Sequence, residues 1–134
     1  MAHKDYGIRK TLNISYEEAI PKVTEALKKE GFGILTEINV KETLKKKLDK
    51  DFKKYMILGA CNPPLAFQAL SAETEMGLLL PCNVIVYESG PNQTVVSAQD
   101  PDVFLSIVEG KKDLAGVAKE ARERLVRVIN SLDK

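Results

Sequence analysis

Between Tyr55 and Tyr87 the chain carries only two charged side chains, Glu73 and Glu75, and all 20 of its basic residues lie outside that block. A stretch so poor in charge does not make a solvated surface; it has to be interior, interface, or both. The lysine-rich flanks supply the surface instead. Within the block, the uncharged run from Met56 to Ala72 is interrupted by Asn62, Pro63, Pro64 and Gln68. It is therefore not a membrane span, which needs about 20 predominantly apolar residues.

The rest of the composition narrows the class. A chain of 134 residues is expected to form one domain over 1–134, with a core that needs neither disulfides nor a structural metal. Its 20 basic and 19 acidic residues leave a net charge of +1, which gives no electrostatic footprint for nucleic acid. The opening Met1-Ala2-His3-Lys4-Asp5 places charge where a signal peptide has an apolar stretch. Two cysteines without such a leader point to reduced thiols and a cytoplasmic protein.

Periodicity gives the elements. Tyr6 to Leu12 alternates as a strand. Ser15 and Glu18 have capping-box spacing, and Tyr16, Ile20, Val23 and Leu27 fall on one helical face, with Gly31 closing the helix. Pro21 predicts a kink or a late helix start. Phe32 to Val40 reads as a strand with Phe32, Ile34, Ile38 and Val40 on one face, and Leu35 and Glu37 on the other. A short helix over 41–48 turns Leu44 and Leu48 inward. Tyr55 to Cys61 is a strand apolar on both sides. Asn62-Pro63 opens a helix to Leu70, with Ala72-Glu73-Thr74-Glu75 as a loop beyond it. A hairpin joins Val84–Glu88 to Thr94–Ala98. Asp100-Pro101 opens a short helix through Ile107, and a last helix aligns Leu114, Val117, Ala121, Leu125, Val128 and Leu132.

The order β-α-β-α-β-α-β-β-α predicts an α+β two-layer sandwich, a mainly antiparallel sheet with helices packed on one face. The strands beginning near Tyr55 and Asn83 are apolar on both sides. The second sheet face then calls for a cover, and a homodimer is the expected one.

Three segments carry a resemblance: Gly31-Phe32 with Thr36-Glu37-Ile38; Leu58-Gly59-Ala60-Cys61-Asn62-Pro63 with Ala66; and Gly77-Leu78-Leu79-Leu80-Pro81-Cys82-Asn83-Val84. Together with the late Asp100-Pro101 they resemble the small bacterial and archaeal family called domain of unknown function family 302. The resemblance implies a compact α+β fold and a homodimer, and it brings no established activity. The family's patterns include versions with Gly in place of the first Cys, which argues against a mechanism needing both thiols.

Polar residues at the edges of the uncharged block are the candidates for chemistry. Cys61 immediately precedes a helix N-terminus, where free N–H groups favour a thiolate, so it is the candidate for a thiol-dependent redox or transfer enzyme. The plain alternative is a small buried hydrophobe. Cys82 ends an apolar run, and with Cys61 it is a candidate metal ligand, completed by Glu37 or Glu75, although the spacing is not that of a Cys-x-x-Cys site. Asn62 reads as an N-cap. Asn83 is unusual for a strand and is a candidate to face a pocket. Glu75 would suit acid–base work if buried, and is otherwise an exposed loop residue. His3 lies in the terminal segment and has no partner ligands in sequence. The lysines at 45–47, 50, 53 and 54 are interrupted by Asp49 and Asp51, and form a solvated face rather than a phosphate site. No glycine-rich phosphate loop, nucleophile elbow or His-Glu-x-x-His motif occurs, so no cofactor is assigned. The leading expectation is a dimeric domain binding a small molecule or ion near Cys61, Asn62, Cys82 and Asn83.

Overall fold

The computed structural model describes residues 5–105 and 112–133. His3 and Ile107, where the short helix after Pro101 was expected to end, lie outside the described residues. The elements run β1 (Gly7–Leu12), α1 (Tyr16–Lys29), β2 (Gly33–Asn39), α2 (Val40–Leu48), β3 (Tyr55–Cys61), α3 (Pro63–Ala72), a 3-10 helix (Thr74–Leu79), β4 (Cys82–Gly90), β5 (Gln93–Gln99), α4 (Pro101–Leu105) and α5 (Lys112–Ser131). Among the described residues the strands form one five-stranded sheet in the order β1-β5-β4-β3-β2, with every pairing antiparallel. Helices pack on one face of it. This is the expected α+β sandwich. Among the described residues no helix is long and apolar enough to cross a membrane.

Local chemistry sets the element boundaries. Ser15 caps α1 by accepting from the Glu18 N–H at 3.1 Å, while its own hydroxyl donates to the Glu18 carboxylate. At the other end Gly31 takes φ +85°, and the N–H groups of Phe32 and Gly31 donate to the carbonyls of Leu27 and Lys28. That pair of bonds is a Schellman closure, which favours glycine at its left-handed position. The late start expected from Pro21 does not occur: α1 runs from Tyr16 through Pro21. Both Pro21 and Glu17, whose carbonyl the missing N–H would have met, are exposed, which places the lost bond on the solvent side of the helix.

Two further expectations are corrected. In β2 the register shifts between Ile34 and Thr36, a bulge at Leu35. One extra residue reverses every side chain beyond it. Ile34 therefore pairs with Ala60 on the helix-covered face, whereas Ile38 pairs with Ile57 on the open one, and Glu37 falls opposite Leu58. Val40 begins α2 rather than ending the strand. In α2 no residue is buried, and Leu48, expected inward, is 63% exposed. The helix ends one residue later at Asp49, in the left-handed conformation, so Leu48 sits on a short helix that never reaches the core.

The core has two parts joined by one helix. The larger lies between the sheet (Leu58, Val84, Val86, Val96) and two stripes, Ala19-Val23-Leu27 of α1 and Leu125 and Val128 of α5 with Leu132 just beyond its end. The smaller gathers Leu65 and Ala69 of α3, Met76 of the 3-10 helix, and Leu114, Val117 and Ala121 of α5. Twenty helical residues extend about 30 Å, enough for α5 to serve both. Among the described residues no helix covers the opposite sheet face. Ile38, Ile57 and Ile85 stand in register across it, and Tyr55 stacks on Tyr87 with ring centroids 5.4 Å apart.

Candidate functional site

The segment joining β3 to β4 leaves the sheet at Cys61 and returns at Cys82, enclosing a cavity of about 290 Å³ beside the smaller core. Ala60, Cys61, Cys82 and Gln99 contribute the sheet end. Residues of α3 and the 3-10 helix supply one wall, and Val117 and Ala121 of α5 the other. The sequence accounts for this excursion. Asn62 and Pro63 start a helix where β3 would otherwise turn directly into β4, and the helix carries Leu65 and Ala69 down onto α5.

Cys61 and Cys82 meet here. Ala60 pairs with Cys82 across the β3–β4 ladder, so Cys61 is its diagonal neighbour, and both line the cavity. Both thiols are free. Burial pushes the Cys82 thiol up to about 11, and the nearby Cys61 adds to the shift, so Cys82 is a neutral thiol at physiological pH.

Asn62 also lines the cavity, and its side chain is engaged in holding the fold. Its Oδ1 accepts from the Leu65 N–H at 3.3 Å, the expected N-cap bond, and its Nδ2 donates to the Glu30 carbonyl at 3.5 Å. Arg124 of α5 donates to the same carbonyl at 2.9 Å, so the ends of α1 and α3 and the flank of α5 are tied at one atom. The remaining candidates lie elsewhere. Asn83 is exposed, pairs with Gly59, and donates its N–H to Gln99 Oε1 at 3.1 Å. Glu37 is exposed on the edge strand β2. Glu75 is exposed at the start of the 3-10 helix, so it lacks the burial that would suit it to acid–base work. The carboxylates that were to complete a zinc site thus stand outside the cavity lining. Among the described residues no group of three or more His, Cys, Asp or Glu is placed to hold a metal ion.

Gln99 is a lining residue that sequence reading missed. Its Nε2 donates to the Leu79 carbonyl at 3.4 Å while its Oε1 holds Asn83, which fastens the return of the excursion to β5. The only hint in sequence was a polar residue ending a strand. Leu80-Pro81, which closes the excursion, is a cis peptide.

Fold and site together define a small α+β domain whose sheet end is opened by a helical excursion around an apolar cavity. The chain belongs to the family described as Domain of unknown function DUF302, whose model matches residues 8–132. It is similar to the uncharacterized conserved protein DUF302 from Bacillus stearothermophilus, known from a crystal structure. The two share 28% identity and a TM-score of 0.84 over 93% of this chain and 96% of that one. No curated protein matches it.

Proposed function

We propose that this domain binds a small molecule in the cavity beside Cys61, Asn62 and Cys82, and that it works as a homodimer paired through the open sheet face. The observation that carries the first part is the cavity itself: about 290 Å³, at a break in an otherwise packed core. Protein interiors close voids unless something fills them, and ligand sites are concave, apolar and few per domain. The support for the dimer is the in-register apolar row Ile38-Ile57-Ile85 beside the Tyr55–Tyr87 stack, on the face that helices leave uncovered. A thiol enzyme is less well supported. The described lining offers no His, carboxylate or amine as a base, and Cys82 is held neutral.

Native mass spectrometry of untagged protein tests both parts in one measurement. The expected spectrum is a dimer carrying a small-molecule adduct, and Ile57→Lys converts it to monomer while the adduct stays. A monomeric wild type in sedimentation at micromolar concentration refutes the dimer. Protein that gives no adduct and whose cavity amides respond to no added small molecule refutes the binding reading.

A further inference from the structure

We infer that the cavity's ligand is neutral and largely apolar, the size of an eight-carbon chain or a fused two-ring system, and that it enters past an exposed apolar rim. The inference rests on the reading of the cavity as a ligand site and adds the chemical class. Three observations carry it. First, among the described residues no lining residue is charged, although 39 of the chain's 134 side chains are Lys, Arg, Asp or Glu. An ion transferred into such a site leaves water and finds no counter-charge, a cost that only a built partner offsets. Second, the polar lining groups are already engaged. Asn62 has made a donor and an acceptor bond to the backbone, and Gln99 has done the same. Among the described residues, the other lining side chains are hydrocarbon, the Met76 thioether and the two thiols, of which the Cys82 thiol keeps its proton. Third, the mouth is apolar where a soluble surface is expected to be polar. Leu35 and Leu70 line the cavity yet remain 66% and 41% exposed. Phe67 and Leu78, at 73% and 82%, adjoin the lining residues Ala66 and Leu79 in sequence. Exposed large apolar side chains beside a cavity mark an entry surface for an apolar molecule.

Size follows from comparison. A cavity of about 150 Å³ lined by aliphatic and aromatic side chains binds benzene and otherwise stays dry. This one is 290 Å³, roughly twice that, hence the chain length or ring pair named above.

The test uses a matched pair, octan-1-ol and octanoate, titrated into the whole chain and followed by amide chemical shifts. Octan-1-ol is expected to shift the amides of Ala60, Cys61, Leu65 and Leu79 saturably. Octanoate is expected to bind at least about ten-fold more weakly, the factor that ~1.4 kcal/mol of uncompensated desolvation produces. Ala66→Phe, which fills the cavity from a half-buried position, is expected to abolish the octan-1-ol response while keeping a native spectrum. If that variant does not fold, Ala66→Leu takes its place and is expected to weaken binding several-fold. Octanoate binding as tightly as octan-1-ol, or zinc alone shifting these amides when octan-1-ol does not, overturns the neutral-apolar class and leaves the cavity a binding site. If no probe shifts them, the binding reading falls and the class falls with it.

Discussion

Replacing Asn62 separates the two jobs its side chain performs. In Asn62→Ala the Leu65 N–H, at a buried position, loses its acceptor. Loss of an N-cap costs typically about 1 kcal/mol, and leaving a buried donor unpaired moves the figure toward the upper end of roughly 0.5–2 kcal/mol. The second bond adds little. At 3.5 Å it is at the limit of a hydrogen bond, and the Glu30 carbonyl keeps its 2.9 Å bond from Arg124, so no acceptor is orphaned. The expected total is therefore about 1–2 kcal/mol, read as a fall in the urea midpoint with an unchanged m-value. Asn62→Ser keeps an oxygen able to cap and loses only the amide donor, so it should recover all but roughly 0.5 kcal/mol. If Ser is as damaging as Ala, the amide rather than the cap oxygen is the element that matters. If Ala is neutral, Asn62 has no structural role and becomes free to serve a ligand.

Other substitutions probe the same corner. Gly31→Ala forces a side chain into φ +85° and brings its Cβ to 2.9 Å from Asn62 Nδ2. The expected loss is about 1–2 kcal/mol in urea unfolding, smaller in an Asn62→Ala background. Gly59→Ala places a Cβ against Thr36 Oγ1 and 3.0 Å from Pro81 Cγ, so it should cost about 1–3 kcal/mol, with Thr36→Ala restoring part of it in a double-mutant cycle. For Cys82 the native thiol titrates near 11 rather than at the ordinary 9.0, so between those values the folded state binds more protons than the unfolded chain. This contribution is complete below about pH 9 and is lost as pH rises toward 11. The stability of wild type relative to Cys82→Ala should therefore fall over that window by up to about 3 kcal/mol, and a flat difference refutes the burial.

The fold was legible wherever chemistry is local. The Ser15 and Asn62 caps and the Gly31 closure rest on contacts within a few residues and the α5 stripe on the helical period, and each stands where its residues predict. What failed was register. A strand read by alternation alone puts Ile34 and Ile38 together, and one inserted residue at Leu35 parts them. Nothing in Gly33-Ile34-Leu35-Thr36 announces a bulge, because the register is set by pairing with β3. Leu48 failed for a related reason. Periodicity finds an apolar position but not whether the helix carrying it reaches a core, and α2 is too short and too peripheral to do so.

The site was half legible, and the division follows from what holds each residue. Polar residues at the ends of an uncharged block invite a ligand, and Cys61, Asn62 and Cys82 do line a cavity. Asn83 and Glu75 share that block yet both are exposed and outside the cavity lining, Asn83 opposite Gly59 on β4 and Glu75 on the 3-10 helix. The residues reaching the cavity from afar, Gln99, Val117 and Ala121, could not be found from one sequence, because only the packing of α5 against α3 and the bonds from Gln99 to Leu79 and Asn83 bring them there. The same packing alters what the polar edge means. Asn62 and Gln99 spend hydrogen bonds on Leu65, Glu30, Leu79 and Asn83, holding both ends of the excursion in place. In this structure their polarity holds the walls of the cavity in place, beside lining side chains that are mostly hydrocarbon.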